Sequence, residues 1–420
     1  MNNTFKLALR GLLRNRRRSM VTLLAIAFGF SAIALFAGYT HNVYEGLGRQ
    51  SVHGEMLGHL TVSKRGMRKE GKLNPDKYLF TTAEVSAISK LINDEASVLL
   101  VTPRLSLSGL ISNGRASTIF IAEGVEPAAA KRLQSGAITD INSKNGVLDN
   151  HMASLDGTRP DVVNLSEGLV ELLHLKIGGQ AVVLVNTLTG QANALDIKLG
   201  KSFNTGNAGS NDKFAFIPLA LAQSLLDAEG RADRLTVLLE DEAQTLPMQE
   251  KLLQKLNAAG YAVDVQTWQS LSDFYTQVHG MFDMIFGFIF SIVITVVIMS
   301  VANSMGMTVI ERTREIGTLR AIGLKRSGVI RLFTLESMLL TLLGCSFGLL
   351  LAVCVRWGIN MAHISYTPPN SASTVPLLID LDAGRTFFTF IMMGMVGTLA
   401  AYMPARRAAK QNIIDALGHV

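Results

Sequence analysis

Four uncharged apolar runs constrain this chain more than any other feature: Ser19–Thr40, Met284–Ile310, Ser337–Val355 and Thr386–Ala405. Each has about the 20 residues an α-helix needs to cross a hydrocarbon core of roughly 30 Å. Inside lipid a backbone must satisfy its own hydrogen bonds, so runs of this kind are expected as helices. Composition agrees only when its distribution is considered: 48% of residues are apolar and 17% charged, a mixture that neither a soluble nor a fully embedded chain favours. A secretory leader is the rival reading of the first run. It is too long for an h-region, lacks a small-residue cleavage pattern and continues into a large domain, so a retained anchor is expected.

Charge sets the expected orientation. Residues 1–18, the 311–331 segment and the tail after Ala405 together hold 15 basic and 3 acidic residues. The rest of the chain holds 24 basic and 30 acidic residues. The positive-inside rule therefore places both termini and the 311–331 segment in the cytoplasm and the long 41–283 segment outside. A pI near 9.3 follows from this topology, and no nucleic-acid partner is expected. The two cysteines, Cys345 and Cys354, lie about 13 Å apart along one helix and cannot bridge each other. The exported domain must then be held by its own core.

The expected fold class is an α-helical membrane protein with four transmembrane helices plus a large mixed α/β domain inserted between the first and second spans. In order, the sequence suggests a cytoplasmic amphipathic helix over 1–18, a span over 19–40, the external domain with stalk helices over 41–283 and a second span over 284–310. A cytoplasmic helix or loop follows over 311–331, then a third span over 332–356, an outer loop over 357–385, a fourth span over 386–405 and a tail over 406–420. Strand patterns occur at His59–Ser63, Ser97–Thr102, Thr118–Ile121, Ala181–Val185 and Arg234–Leu239. Helical patterns occur at Thr82–Asn93, Pro218–Ala228 and Gln249–Gly260. Val163–Leu184 reads as helix, turn and strand, and Leu271–Ile310 as one continuous helix. Gly344 and Gly348 have the spacing of a close helix–helix contact.

The segment Glu311–Arg331 reads as a short amphipathic helix, with Ile310, Ile316, Leu319, Ile322 and Leu324 on one stripe and Glu311, Arg312, Arg314, Glu315 and Arg320 on a charged face. Such a helix between two spans belongs at the water interface, where it can grip a soluble partner. Its charges would otherwise only solvate an interfacial anchor. Glu336 is the one ionisable residue well inside a span; a snorkelling carboxylate, or a structural pair with Arg331 within reach, is expected. In the tail, Pro404 is expected to end or bend the fourth helix at the membrane surface, leaving Arg406 and Arg407 against anionic lipid. No metal or catalytic site is expected: there is no Gly-x-Ser-x-Gly, no His-Glu-x-x-His and no Cys/His cluster. Gly200-Lys201-Ser202 imitates a phosphate loop, but Leu195 stands where its leading Gly is needed. His53 and His59 are expected on the surface.

Glu311-Arg312-Thr313-Arg314-Glu315-Ile316-Gly317, followed by Leu319-Arg320-Ala321-Ile322-Gly323, resembles the cytoplasmic loop of the FtsX/MacB-like permeases. The Pro404-Ala405-Arg406-Arg407-Ala408-Ala409 ending resembles the same family, as do Val163–Leu184 and Phe203–Asn207 with Phe216–Leu219. The resemblance implies a non-catalytic ABC transporter permease in a bacterial inner membrane, with its large domain in the periplasm. Glu311, Arg312, Thr313, Arg314, Glu315, Ile316, Gly317, Leu319 and Arg320 would couple it to a cytoplasmic ATPase present in two copies, with ATP and Mg bound by that partner and no cofactor on this chain. It further implies a second permease copy or paralogue, membrane lipid contacts, and a periplasmic adaptor and outer-membrane protein if the system is an efflux pump. Mechanotransmission driving export or extraction is the implied function. Lipoprotein release, and a non-transporting relay to a periplasmic hydrolase, stay open.

Overall fold

The computed structural model describes residues 16–71, 73–135, 155, 157–367 and 374–417. Most of the amphipathic helix expected over 1–18 lies outside the described residues. In chain order the main elements begin with α1 (Arg16–Arg49), which runs on through a π-helical turn (Gln50–Gly54), then β1 (Leu60–Lys64), α2 (Thr82–Asn93), β2 (Val98–Ser112), β3 (Ser117–Val125) and α3 (Pro127–Gln134). Next come β4 (Val162–Ser166), α4 (Glu167–Leu172), β5 (Gln180–Asn186), β6 (Ala192–Phe203), β7 (Phe214–Pro218), α5 (Leu219–Leu226), β8 (Arg234–Leu239), α6 (Thr245–Ala258) and β9 (Val263–Thr267). The chain continues with α7 (Asp273–Glu311), α8 (Thr313–Ala321), α9 (Arg326–Met361), α10 (Ala383–Lys410) and α11 (Ile413–Leu417). Two compact units result: 45–277 with 366–375, and 1–44 with 278–365 and 376–420.

The first unit is built around one shared strand. The N-terminal half of β2 pairs with β8, and the order β2-β8-β1-β9 gives an antiparallel sheet in a β-α-β-β-α-β path. Helices α2 and α6 complete that path, and Ile88, Ile92, Met248 and Leu252 join Leu60, Val62, Leu235 and Val237 in one core. Helix α2 starts at a capping box: Thr81 accepts from the Glu84 backbone while Glu84 accepts from the Thr81 backbone. The C-terminal half of β2 pairs with β3 on one side and β5 on the other. Because β3-β7-β4-β6-β5 are also hydrogen-bonded in that order, these six strands form a closed ring. Its interior holds Leu105, Ile111, Phe120, Val163, Val183 and Ile217. Strand β5 alternates exposed and buried along its length, as a strand with one wet face must.

Two buried charges, Arg104 and Asp233, and two half-buried ones, Glu123 and Arg234, stand where β2 passes from sheet to ring. The Arg104 side chain is 1% exposed and donates to the Met56 carbonyl at 2.6 Å and to Glu123 at 3.3 Å. Arg234 donates to both Glu123 and Asp233, and Asp233 also accepts from the Ser106 backbone at 3.0 Å. Two cations and two carboxylates thus neutralise one another at the corner.

Several sequence expectations need correction here. Val163–Ser166 is a strand, with the helix confined to Glu167–Leu172; Val162–Ser166 is buried throughout, and a fully buried strand carries no alternation to reveal it. The continuous helix expected from Leu271 is broken at Ser272, which takes an extended conformation between a single turn (Trp268–Leu271) and α7. Its hydroxyl accepts from that of Ser51 at 3.2 Å, so the break lies beside the π-helical turn. His59 is buried rather than on the surface: it stands just before β1, its Nδ1 accepting from the Leu239 backbone at 3.0 Å. Burial, with His53 nearby, lowers its pKa to about 4, so the ring is neutral.

In the second unit, α1, α7, α9 and α10 are long and apolar enough to cross a membrane. All four overrun the apolar runs read from sequence; α9 extends to Met361, shortening the loop expected over 357–385. Ile26 and Phe30 of α1, Val297 and Val301 of α7, Phe333 and Leu340 of α9, and Met393 and Ala401 of α10 share one core. A Cβ on Gly348 would come within 2.6 Å of the Ala27 carbonyl oxygen, and one on Gly344 within 2.8 Å of Ile26. These glycines therefore let α9 approach α1, the interface role their spacing suggested. Ser337 donates to the Gly397 carbonyl at 2.8 Å, tying α9 to α10. Cys345 is buried in this packing and Cys354 is exposed. Helix α7 leaves Met284, Phe288 and Met299 at least 67% exposed, a surface suited to lipid or to another transmembrane helix.

Candidate functional site

The 311–331 segment is two elements and a turn rather than one helix. Glu311 closes α7, Arg312 leaves helical geometry at φ −104°, and α8 begins at Thr313. Thr313 Oγ1 returns to the Val309 carbonyl at 3.0 Å, so the two helices meet with little slack. Helix α8 ends at Ala321, and Gly323 in the turn beyond it has a φ of +109°, a conformation that side chains with a Cβ rarely adopt. Lys325 then precedes α9.

Arg312 is the centre of the site. Its Nε donates to Glu315 at 2.9 Å and its Nη1 to Glu336 at 3.2 Å. The guanidinium lies 5.7 Å from the Phe333 ring centroid, an attractive cation–π arrangement. The Arg312 side chain is 13% exposed and that of Glu336 3%, so this is a nearly buried charge pair whose rupture would strand the carboxylate. The expected Arg331–Glu336 pair is absent. Five residues at about 100° each put the two some 140° apart around α9, and Arg331 is exposed instead. One guanidinium thus clamps the end of α7, the first turn of α8 and the buried face of α9.

The remaining expected site residues divide by exposure. Glu311 accepts from Arg18 of α1 through both oxygens, at 2.6 and 3.1 Å; at about one-third exposure this pair contributes little stability. Ile316 and Gly317 are buried, Ile316 within the unit's own core. They are therefore unavailable to fill a groove on a partner. Leu319 is partly buried, and Arg320 donates to the Gln411 carbonyl, holding α8 against the α11 end of the chain. Arg314 is exposed, as is Thr318 one turn on. Ile322 is 80% exposed. Pro404 neither ends nor caps α10, which continues to Lys410 with Arg406 and Arg407 exposed.

Sequence reasoning missed Arg18, the Arg312–Glu336 pair and the Gln411 contact, all joined across large sequence separations. Only one signal was available: a carboxylate in an apolar run needs a cation, and Arg331 is on the wrong face. Arg312 thus links the first turn of α8 to the end of α7 and to α9. Among the described residues there is no group of three or more His, Cys, Asp or Glu side chains placed to hold a metal.

Comparison with known proteins agrees with the architecture. Residues 19–255 match the MacB-like periplasmic core domain and residues 287–413 the FtsX-like permease C-terminal region. The macrolide export ATP-binding/permease protein MacB of Neisseria gonorrhoeae is 23% identical over 98% of this chain. This chain spans only 60% of that protein's length. The ABC transporter permease YtrF of Bacillus subtilis is 32% identical over 28% of each chain. Among solved structures, the periplasmic region of MacB from Actinobacillus actinomycetemcomitans aligns with 51% of this chain and 90% of its own, at a TM-score of 0.34 and 13% identity. With more than half its length matching the MacB-like core domain and its C-terminal third matching the FtsX-like permeases, the chain belongs to the FtsX/MacB-like family of ABC transporter permeases.

Proposed function

We propose that this chain is the permease subunit of an inner-membrane ABC transporter, with residues 41–283 forming a periplasmic domain between the first two of four spans. A partner ATPase, present in two copies and carrying the ATP and Mg, would drive the export or extraction of a substrate from the periplasm or outer leaflet. The observation that carries this reading is the unbroken helix Asp273–Glu311, which passes directly into the Arg312 joint. A stroke delivered to α8 would move α7 as a rod, and with it the base of the external domain. The relative named an ATP-binding/permease protein supports the pairing with an ATPase. The exposed apolar face of α7 favours a second permease copy or lipid beside it.

The docking surface is assigned to exposed Arg314, Thr318 and Ile322 rather than to the whole charged run. Arg314→Glu should weaken capture of the ATPase about ten-fold, equivalent to about 1.4 kcal/mol, while leaving the permease inserted and as heat-stable as the wild type. Undiminished ATPase capture by Arg314→Glu combined with Ile322→Asp would limit α8 to anchoring.

Orientation is tested separately. With Cys345 and Cys354 replaced by alanine, a cysteine at exposed Thr189 or Thr374 should react with an impermeant maleimide in spheroplasts, and one at Ser327 only after lysis. Labelling of Ser327→Cys in intact spheroplasts would reverse the topology.

A further inference from the structure

Within the α/β unit, the chain folds around a cavity of about 480 Å³ that the coupling mechanism does not use. That volume falls within the range of about 300–1,000 Å³ typical of small-molecule sites. Its walls come from distant parts of the sequence: the residues after the π-helical turn, the β2–β3 corner, the ends of β6 and β7, and the first turn of α7. The chemistry of these walls is asymmetric. Phe203, Phe214 and Phe216 form an aromatic wall, with ring centroids 5.1 Å apart between Phe216 and each of the other two. Phe274 and Leu57 extend the apolar lining.

The charges that line the cavity do not balance. Arg104 and Arg234 are already neutralised by Glu123 and Asp233, so they offer no free cation to an anionic guest. Asp273 at the rim is paired with Arg68 at 3.3 Å. Glu55 is different. Its backbone N–H is fixed by the Gln50 carbonyl at 2.7 Å, and its carboxylate makes no hydrogen bond or ion pair with any described residue. Burial pushes that carboxyl up to about 7, as expected of a desolvated acid with no counter-charge among the described residues.

We infer that this cavity binds a small organic ammonium ion, with the charge on Glu55 and the apolar body against the phenylalanine wall. A desolvated carboxylate and aromatic faces are the two groups that together select a protonated amine over a neutral or anionic molecule of the same shape. The cavity lies beside the π-helical turn and the Ser51–Ser272 contact, so its occupant touches the root of α7. This places the ligand where it can bias the external domain, independently of what the transporter moves.

The test uses the full chain in lipid nanodiscs and monodansylcadaverine, an environment-sensitive fluorophore carrying a primary ammonium. Empty nanodiscs provide the background, and N-pentyl dansylamide, the same body without the ammonium, provides the neutral control. The wild type should give a saturable blue-shifted signal, and the neutral control should bind about ten-fold or more weakly. Glu55→Gln, which removes a charge that has no partner among the described residues and should fold normally by thermal unfolding, should weaken the amine by a similar factor and leave the neutral control unchanged. Glu55→Asp should retain part of the amine selectivity. No saturable component in the wild type, or equal affinity for both probes, or an unchanged amine affinity in Glu55→Gln, would overturn the assignment.

Discussion

Replacing Arg104 by methionine is expected to destabilise the α/β unit by about 3–5 kcal/mol, the usual consequence of removing one partner from a buried charge cluster. Methionine fills much of the same volume, so the loss is electrostatic rather than a cavity effect. It leaves Glu123 and Asp233 facing Arg234 alone, and it removes the hydrogen bond to the Met56 carbonyl just after the π-helical turn. For a unit of this size the thermal midpoint should fall by roughly 6–20 °C. The pH dependence has a definite sign. Burial opposes ionisation of Glu123, but Arg234 and Arg104 outweigh it and hold the carboxyl down at about 2. A depressed folded-state pKa stabilises above the ordinary glutamate value of about 4.3, and that contribution is lost as pH falls toward 2. The gap between wild type and Arg104→Met should therefore be full at pH 7 and narrow below about pH 4. A midpoint within about 2 °C of wild type at pH 7 would mean that the cluster adds nothing to stability.

Val278→Pro should abolish the ATP-driven function. Val278 is the sixth residue of α7, past the first turn where proline is tolerated. There it removes a backbone hydrogen bond and kinks the helix, at about 3 kcal/mol or more. The Arg312 joint lies more than thirty residues further along α7, so ATPase capture and basal ATP hydrolysis should persist. Loss of activity with the partner still bound is the signature of a broken rod. Full activity in Val278→Pro would show that force does not travel through α7. Arg312→Ala makes a useful contrast, since it should disturb the joint itself and strand Glu336.

The membrane architecture was largely legible because hydrocarbon imposes a simple rule: each span needs a long uncharged run, and four such runs occur. Local signals also worked where they are chemically specific. The helical pattern over Thr82–Asn93 keeps its bounds as α2, and β8 keeps the Arg234–Leu239 bounds. Strand β7 was not separable from the helix that follows it, because Phe214–Pro218 is mostly buried and lacks alternation. The closed ring was invisible for a different reason. It depends on β2 pairing with three different strands, and strand pairing leaves no trace in composition. At the candidate site, the family motif located α8, but motif membership could not separate Arg314, which is exposed, from Ile316, which the chain buries for itself. Arg104 and Glu55 gave no signal as single residues, because their importance arises from neighbours tens to hundreds of residues away.

The central claim is that motion at α8 reaches the external domain through α7. It is tested most directly by distance measurement between two copies of the permease. A spin label at exposed Gln277, introduced after removal of the native cysteines, reports the spacing of the two α7 helices at the base of the domain. Double electron–electron resonance should give one distance distribution in the nucleotide-free complex and a clearly displaced one when the partner ATPase is trapped with ATP. The Val278→Pro variant should weaken or remove that displacement. Superimposable distributions in the two states of the active wild-type complex would contradict the account.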